Sequence, residues 1–279
     1  MLLQAFDSLA FGVRHWTAVV AAWGLLAACC GSAEGQQPAA PPSKLPNALA
    51  VAEAPAGEGT YECDFRNGRF DAETLVPTGY DSPYSLNFIR PERQGLRVLI
   101  PASQGRTRPK VGVFAALKLE GDFEITAAFD LVAADAPDVG LGVGANLYIM
   151  AEQSLNGATL RRCISPDGQD VFFVHRALRQ ADGRRQVETD YFPAHSHEGQ
   201  LRLARQGTSL KYLVADGEEP VFREIKSIEY GANPVALIQL QATTDGASKN
   251  VETYWRSLSI RADKLTRIDI PLLHRPPAR

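Results

Sequence analysis

Glu188 and Asp190 are two acidic residues that stand two positions apart in an alternating stretch, residues 186–192. Because successive side chains of a β-strand point to opposite faces, this spacing predicts that both carboxylates lie on one side of a strand. Two carboxylates on one face can supply a nucleophile and a general acid/base. A solvated strand face without chemistry is the alternative interpretation.

Two histidines follow in a polar loop, His195 and His197, and His175 lies upstream as a third imidazole. Imidazoles two positions apart on an extended chain can chelate a metal ion such as zinc. The alternative is that they are exposed loop histidines without a ligand. His195 and His197 are therefore candidates both for metal binding and for polar contacts to another ligand.

Aromatic side chains at exposed positions can form a platform for a sugar ring. The candidates are Tyr191, Phe192, Trp255, Tyr254 and Tyr148. Tyr254 and Trp255 are adjacent, so in a strand one of them must face the core and the other must face outward. Packing in the core is the alternative role for each ring.

Strands are the elements that must position these residues. In residues 199–217, Leu201 and Leu203 alternate with polar neighbours before a turn at Gln206-Gly207, which predicts a β-hairpin. Residues 123–131 alternate in the same way, and Asp-Gly pairs separate the later segments. The pattern predicts an all-β antiparallel sandwich or barrel over residues 60–264. The short segments 151–155 and 223–228 are candidates for helices.

The ends of the chain have a different composition. Residues 1–33 read as an export leader, because the apolar run 16–28 is shorter than the about 20 residues of a membrane span. Leu26-Ala27-Ala28-Cys29 is similar to a lipobox, in which Cys29 is lipidated; ordinary cleavage after Ala33 is the alternative. Residues 34–59 are predicted to be a flexible linker and residues 265–279 a loose tail.

The charge balance narrows the class of partner. Lys and Arg total 29 and Asp and Glu total 32, so the net charge is -3. A chain of this balance has neither the basic surplus expected of a nucleic-acid-binding protein nor a polybasic segment for anionic lipid. Glycans and proteins remain as the expected partners.

Three motifs carry a resemblance to a known family. They are Gly121-Asp122-Phe123-Glu124-Ile125, the hairpin that begins Gly199-Gln200-Leu201-Arg202-Leu203, and Val251-Glu252-Thr253-Tyr254-Trp255. Together they resemble the concanavalin A-like lectin/glucanase superfamily, also called laminin G-like, and among its members exported bacterial domains of unknown function. The resemblance covers residues 61–264 and implies an antiparallel jelly-roll sandwich. The superfamily includes lectins, glycosidases and structural modules, so it does not imply one activity.

The resemblance also has implications for the acidic residues. Glycosidases of the superfamily carry an E-x-D-x-x-E strand, and Glu188 and Asp190 match its first two acids, but Pro193 stands in place of the last Glu. Lectins of this fold often hold calcium with loop carboxylates. The loop acids of the right type are Asp135, Asp138, Asp167 and Asp170. No cofactor is expected otherwise.

Cys63 and Cys163 are the cysteines that follow the leader. An exported chain meets an oxidising environment, which favours a disulfide between them. Two buried thiols on separate strands are the alternative.

The sequence thus favours an exported module of the cell envelope, non-enzymatic, that binds a glycan or another protein. One alternative is a carbohydrate-active hydrolase with an atypical site at Glu188, Asp190, His195 and His197. The other is a structural interaction domain without a small ligand.

Overall fold

The computed structural model describes residues 59–78, 87–107, 109–179, 183–218 and 221–269. The predicted leader, its Cys29 and nearly all of the predicted linker lie outside the described residues, as does the end of the predicted tail. Within those ranges, no helix is long and apolar enough to cross a membrane.

Fifteen β-strands make up most of the described chain. They are β1 Gly59–Asp64, β2 Leu75–Thr78, β3 Ile89–Glu92, β4 Gly95–Ile100, β5 Lys110–Ala115, β6 Leu117–Ala134, β7 Val143–Ala151, β8 Gly157–Ile164, β9 Asp170–Arg179, β10 Arg185–Pro193, β11 Glu198–Gln206, β12 Ser209–Asp216, β13 Arg223–Glu229, β14 Val235–Thr243 and β15 Val251–Arg267. The helical elements of the described residues are a 3-10 turn, Arg66–Gly68, and a single-turn helix, α1, at Ala102–Gly105.

The strands form two antiparallel layers. In sheet A the order is β13-β12-β11-β6-β15, and β15 continues the layer by pairing with β1 and β4, the latter followed by β3. In sheet B the order is β10-β9-β8-β7-β14-β5-β2. One residue pair, Val235 with Leu119, joins the layers along the hydrogen-bond network. The predicted all-β jelly-roll sandwich is confirmed.

The core between the sheets follows from the alternation seen in the sequence. Along β6, Phe123, Ile125, Ala127 and Phe129 are all fully buried, and the residues between them are less buried. The predicted hairpin is β11 and β12, joined through Gly207 at a φ of 59°, a left-handed conformation that glycine adopts without cost. One apolar cluster contains side chains from both sheets.

Arg205, in the hairpin motif, fastens two turns to the edge of this core. Its Nε donates to the Gly121 carbonyl oxygen at 3.0 Å, and its Nη1 donates to the Asn233 carbonyl oxygen at 2.6 Å. The guanidinium carbon lies 4.7 Å from the centre of the Phe123 ring, within cation–π range. The residue is buried, so these carbonyls have a charged donor in place of water.

The neighbouring Asp122 connects the same motifs through its backbone and side chain. Its carboxylate accepts a hydrogen bond from the Gly207 amide at 2.6 Å, and its amide donates to Asp263 at 2.7 Å. The segment Gly121–Ile125, the turn of the hairpin and the end of β15 at Asp263 therefore meet at one corner of sheet A. These contacts form a structural junction.

Some elements differ from the sequence prediction. Residues 151–155 form the end of β7 and a turn in which Leu155 has a φ of 55°, and residues 223–228 belong to β13. Both helix predictions are wrong, because pairing with neighbouring strands overrides the local helical pattern. β8 was not predicted at all: every residue in it is buried, so its sequence lacks alternation. β15 also continues to Arg267, beyond the expected domain end.

Cys63 and Cys163 do not form the expected disulfide. Both are free and buried. Cys63 belongs to the core cluster on β1 of sheet A, whereas Cys163 packs with Val171 and Phe173 on the side of sheet B that faces away from the core. Burial raises the pKa of both thiols, that of Cys163 to about 11.

Candidate functional site

Glu188 and Asp190 lie on one side of β10, as their spacing predicts, but that side faces sheet A at the rim of the sandwich. Glu188 forms an ion pair with Arg176, whose hydrogen bond is the main cause that lowers the pKa of the carboxyl. Asp190 lies 3.2 Å from Lys226 of β13. Each carboxylate is engaged with its own cation, so the pair is arranged as structural ion pairs.

His195 and His197 are exposed in the loop between β10 and β11. The His197 Nε2 lies 3.4 Å from Asp170, and the His195 amide donates to Asp216 at 2.8 Å. His175 lies on β9 and faces away from the core. Nowhere in the described ranges do three His, Cys, Asp or Glu side chains come together to hold a metal ion.

Three of the four loop acids considered for calcium have other partners. Asp135 accepts from the Asn250 amide at 3.2 Å, Asp167 accepts from the Ser165 hydroxyl, and Asp170 pairs with Arg162. Asp167 and Asp170 therefore serve the turn between β8 and β9. A calcium role for these residues stays a prediction.

The predicted aromatic residues have three different fates. Trp255 is 0% exposed in the core and is not available to a ligand, which corrects that expectation. Phe192 is half-buried and packs against the core. Tyr191 is 42% exposed and points away from the core, so it alone of these three offers a ring face to solvent.

A polar face covers the outward side of sheet B. Along β7, Ala145, Leu147 and Ile149 point into the core, so the alternate residues Asn146 and Tyr148 point outward. The strand register brings outward residues of β14, β7, β8, β9 and β10 side by side. We call them the polar face: Gln239, Gln241, Asn146, Tyr148, Thr159, Arg161, Phe173, His175, Thr189 and Tyr191.

The middle of the polar face is a chain of hydrogen-bonded side chains. Arg161 Nε donates to Asn146 Oδ1 at 3.4 Å, Asn146 Nδ2 donates to Gln241 Oε1 at 3.1 Å, and Gln241 Nε2 donates to Gln239 Oε1 at 3.1 Å. Asn146, Arg161 and Gln241 are 2%, 3% and 5% exposed, so they form a buried polar floor. Such groups are costly to bury unless they are bonded to each other.

Close approach of β7 and β8 brings these side chains together. A Cβ atom at Gly144 would lie 2.0 Å from the carbonyl oxygen of Arg162, so only glycine fits there. Gly144 therefore serves the packing of neighbouring backbones.

Tyr191 forms the aromatic edge of the polar face. Its hydroxyl donates to the Leu141 carbonyl oxygen at 2.9 Å, and its ring centre lies 5.1 Å from that of Phe173. The Arg161 guanidinium covers Phe173, 4.8 Å from the ring centre. The exposed ring is thus held at both its hydroxyl end and its face, and little rotamer freedom is left to lose when a ligand binds.

His175 is kept neutral by its surroundings on the polar face. Its Nδ1 is buried and has no hydrogen-bond partner in the described part of the chain. Desolvation, the largest cause, and the charges of Arg161, Lys110 and Arg185 together lower the pKa of the imidazole to about 4. Asp245 opposes them.

We therefore expect the His175 ring protons to titrate in NMR with a midpoint near pH 4, the value to which its pKa is lowered. Since the folded protein disfavours the imidazolium, the unfolded chain binds the proton more readily between pH 6.5 and about 4. The free energy of unfolding should fall as the pH falls through that window, and fall less steeply in His175→Gln. A midpoint near 6.5 would contradict this environment.

Sequence reasoning missed most of the polar face. Tyr148 was considered as an aromatic candidate, but Asn146, Arg161 and Gln241 were not candidates. Arg161 lies on the unpredicted β8, and β14 is inserted between β7 and β5 from far along the chain. The signal that was present is the run of Gly, Asn and Tyr at alternate positions of β7.

Residues 37–273 match the family described as "Protein of unknown function (DUF1583) C domain". No curated protein matches the sequence.

Solved structures show the same fold at low sequence identity. LamAcat from Zobellia galactanivorans is 9% identical, with a TM-score of 0.51 over 72% of this chain and 96% of that one. The Crh5 transglycosylase in complex with NAG is 13% identical, with a TM-score of 0.50 over 74% of this chain and 84% of that one. A legume lectin-like domain from Entamoeba histolytica is 10% identical, with a TM-score of 0.48 over 74% and 97%.

At these identities the likeness shows the fold, which is that of the concanavalin A-like lectins and glucanases. The family match covers most of the chain and includes every strand of both sheets. The chain belongs to the DUF1583 C-domain family.

Proposed function

We propose that this chain is an exported, non-enzymatic module of the cell envelope that binds a glycan along the polar face. The observation that carries the proposal is the exposed Tyr191 ring, fixed beside a floor of bonded amide and guanidinium groups. Flat rings accept the C–H face of a sugar, and adjacent polar groups orient its hydroxyls.

Two further observations support binding over hydrolysis. The outward side of the described strands in the polar face carries no Asp or Glu. The carboxylates that resemble a glycosidase pair, Glu188 and Asp190, are each held by a cation elsewhere. The proposal of export rests on the leader pattern in residues 1–33.

Tyr191→Ala tests this proposal on a glycan array and by calorimetry with the glycans that bind. We expect the purified full chain to bind and the variant to bind about tenfold more weakly, roughly 1.4 kcal/mol, because the stacking surface is lost.

Phe222→Ala is the matched control, since that ring covers Arg202 of sheet A, with the guanidinium carbon 3.7 Å from its centre. Its binding should equal that of the unaltered chain. Failure of the unaltered chain to bind any glycan would refute the proposal, as would full binding by Tyr191→Ala.

A further inference from the structure

The polar face has a surplus of positive charge. Lys110 on β5, Arg161 on β8 and Arg185 on β10 all lie on the outward side of sheet B. Asp245, which follows β14, is the acid that faces them, with its Oδ2 3.8 Å from the Arg161 Nη1. That carboxylate also accepts the Leu141 amide at 2.7 Å, so it is already occupied. Three cations thus converge where one carboxylate is present.

Lys110 and Arg185 are the cations whose charge is not balanced. Among the described residues, no carboxylate lies within ion-pair distance of either one. Both residues retain exposure to solvent, although neighbouring atoms surround the Lys110 ammonium. Desolvation of its ammonium lowers the pKa of Lys110, and the charge of Arg161 lowers it further. The charged form of a lysine beside arginines is unfavourable, and a bound anion would offset that cost.

The cations are also placed to act together. Desolvation raises the pKa of the Tyr148 phenol and Arg185 lowers it, so the Arg185 side chain reaches from β10 towards β7 over the intervening strands. Lys110 approaches from the opposite side, since β5 lies beyond β14. His175 lies between them and is affected by all three positive charges. Because the imidazole is neutral, the positive charge around this position comes from the three cations alone.

Resting on the glycan function proposed above, we propose that the polar face is selective for acidic saccharides, whose carboxylate or sulfate group lies between Lys110 and Arg185 above Arg161. Tyr191 then stacks on the ring that carries the anion or on its neighbour. Charge-assisted hydrogen bonds to such a group are stronger than those between neutral partners. Neutral glycans would leave the surplus charge uncompensated and should bind less well.

Calorimetry on the full chain tests the selectivity with three oligosaccharides of equal length: an oligogalacturonate, a sulfated oligosaccharide and a neutral gluco-oligosaccharide. We expect at least one of the two acidic ligands to bind about tenfold more tightly than the neutral one, and this preference to shrink as salt is added. Which acid binds identifies carboxylate or sulfate as the recognised group. Equal affinity for the neutral ligand would overturn the proposal, and so would equal affinity for a single-stranded DNA of the same charge.

Lys110→Gln and Arg185→Gln each remove one cation. Each should weaken the acidic ligand about tenfold and leave a neutral ligand unchanged. Lys211→Gln is the matched control, because Lys211 lies on β12 of sheet A, 3.4 Å from Glu224. Unaltered binding in both polar-face variants would overturn the proposal.

His175 supplies a second readout that does not depend on the variants. A bound anion offsets the three positive charges, so the NMR midpoint of His175 should rise when the acidic ligand is added and stay in place with the neutral one. If neutral and acidic glycans bind equally and the midpoint does not move, the selectivity fails and glycan binding stands. If no glycan binds, the proposed function itself fails.

Discussion

Replacing Arg205 with methionine is expected to lower the free energy of unfolding by about 3 kcal/mol, measured by urea denaturation of the full chain. Arg205 is 2% exposed, and its guanidinium donates to the carbonyl oxygens of Gly121 and Asn233. Methionine fills a similar volume but removes the charged donor from both carbonyl oxygens. Hydrogen bonds to charged groups contribute more to stability than those between neutral partners.

The position of Arg205 makes this loss large. It lies at the corner where the Asp122 turn, the hairpin and the loop at Asn233 meet, and its charge also lies over the Phe123 ring. Removing it releases two turns at once, so this corner should open before the core unfolds. The unfolding transition should then be broader.

Lys211→Met is the control for the loss of a positive charge in the same hairpin. Lys211 is partly exposed and pairs with Glu224 at 3.4 Å, so its removal should change stability by less than about 0.5 kcal/mol. A loss below about 1 kcal/mol in Arg205→Met would show that water can replace the guanidinium at this corner.

Trp255→Ala should destabilise the protein by about 4 kcal/mol, because it removes a fully buried indole and leaves a cavity. Trp255→Phe should cost much less. It keeps a ring, and it removes an Nε1–H that has no hydrogen-bond partner among the described residues. Thermal or urea unfolding of both variants measures the difference.

The same variants separate the two roles that the sequence left open for Trp255. If its role is packing, the folded Trp255→Phe protein should bind glycan as the unaltered chain does, while Tyr191→Ala should not. A binding defect in folded Trp255→Phe, with stability near that of the unaltered chain, would contradict the core assignment.

The strands that alternate could be predicted from the sequence, and the strands that are buried on both faces could not. β6 and the β11–β12 hairpin have one wet face or a clear turn, which shows as a period of two. In β8, Arg161 is buried by the polar face and Arg162 by its bonds to Ser196 and Asp170, so a charged pair stands where an apolar run is expected. Nothing local distinguishes such arginines from solvent-facing ones.

The candidate site was less predictable than the fold, because it depends on the order of the strands. Asn146 and Gln241 are remote in sequence and become neighbours since β14 pairs with β7. Glu188 and Asp190 show the opposite case: their spacing correctly put them on one face, yet the sequence does not say that this face meets Arg176 and Lys226. A spacing of two fixes the side of a strand and leaves open what lies opposite it.

The hydrogen-bonded floor of sheet B has a direction. Arg161 can only donate, so Asn146 must turn its oxygen towards Arg161 and its nitrogen towards Gln241, which in turn must give its nitrogen to Gln239. Among the described residues, the amide nitrogen of Gln239 ends this series of hydrogen bonds. The positive charge of Arg161 on β8 therefore orients the amide of Gln239 on β14, which offers a hydrogen-bond donor to a ligand on the polar face.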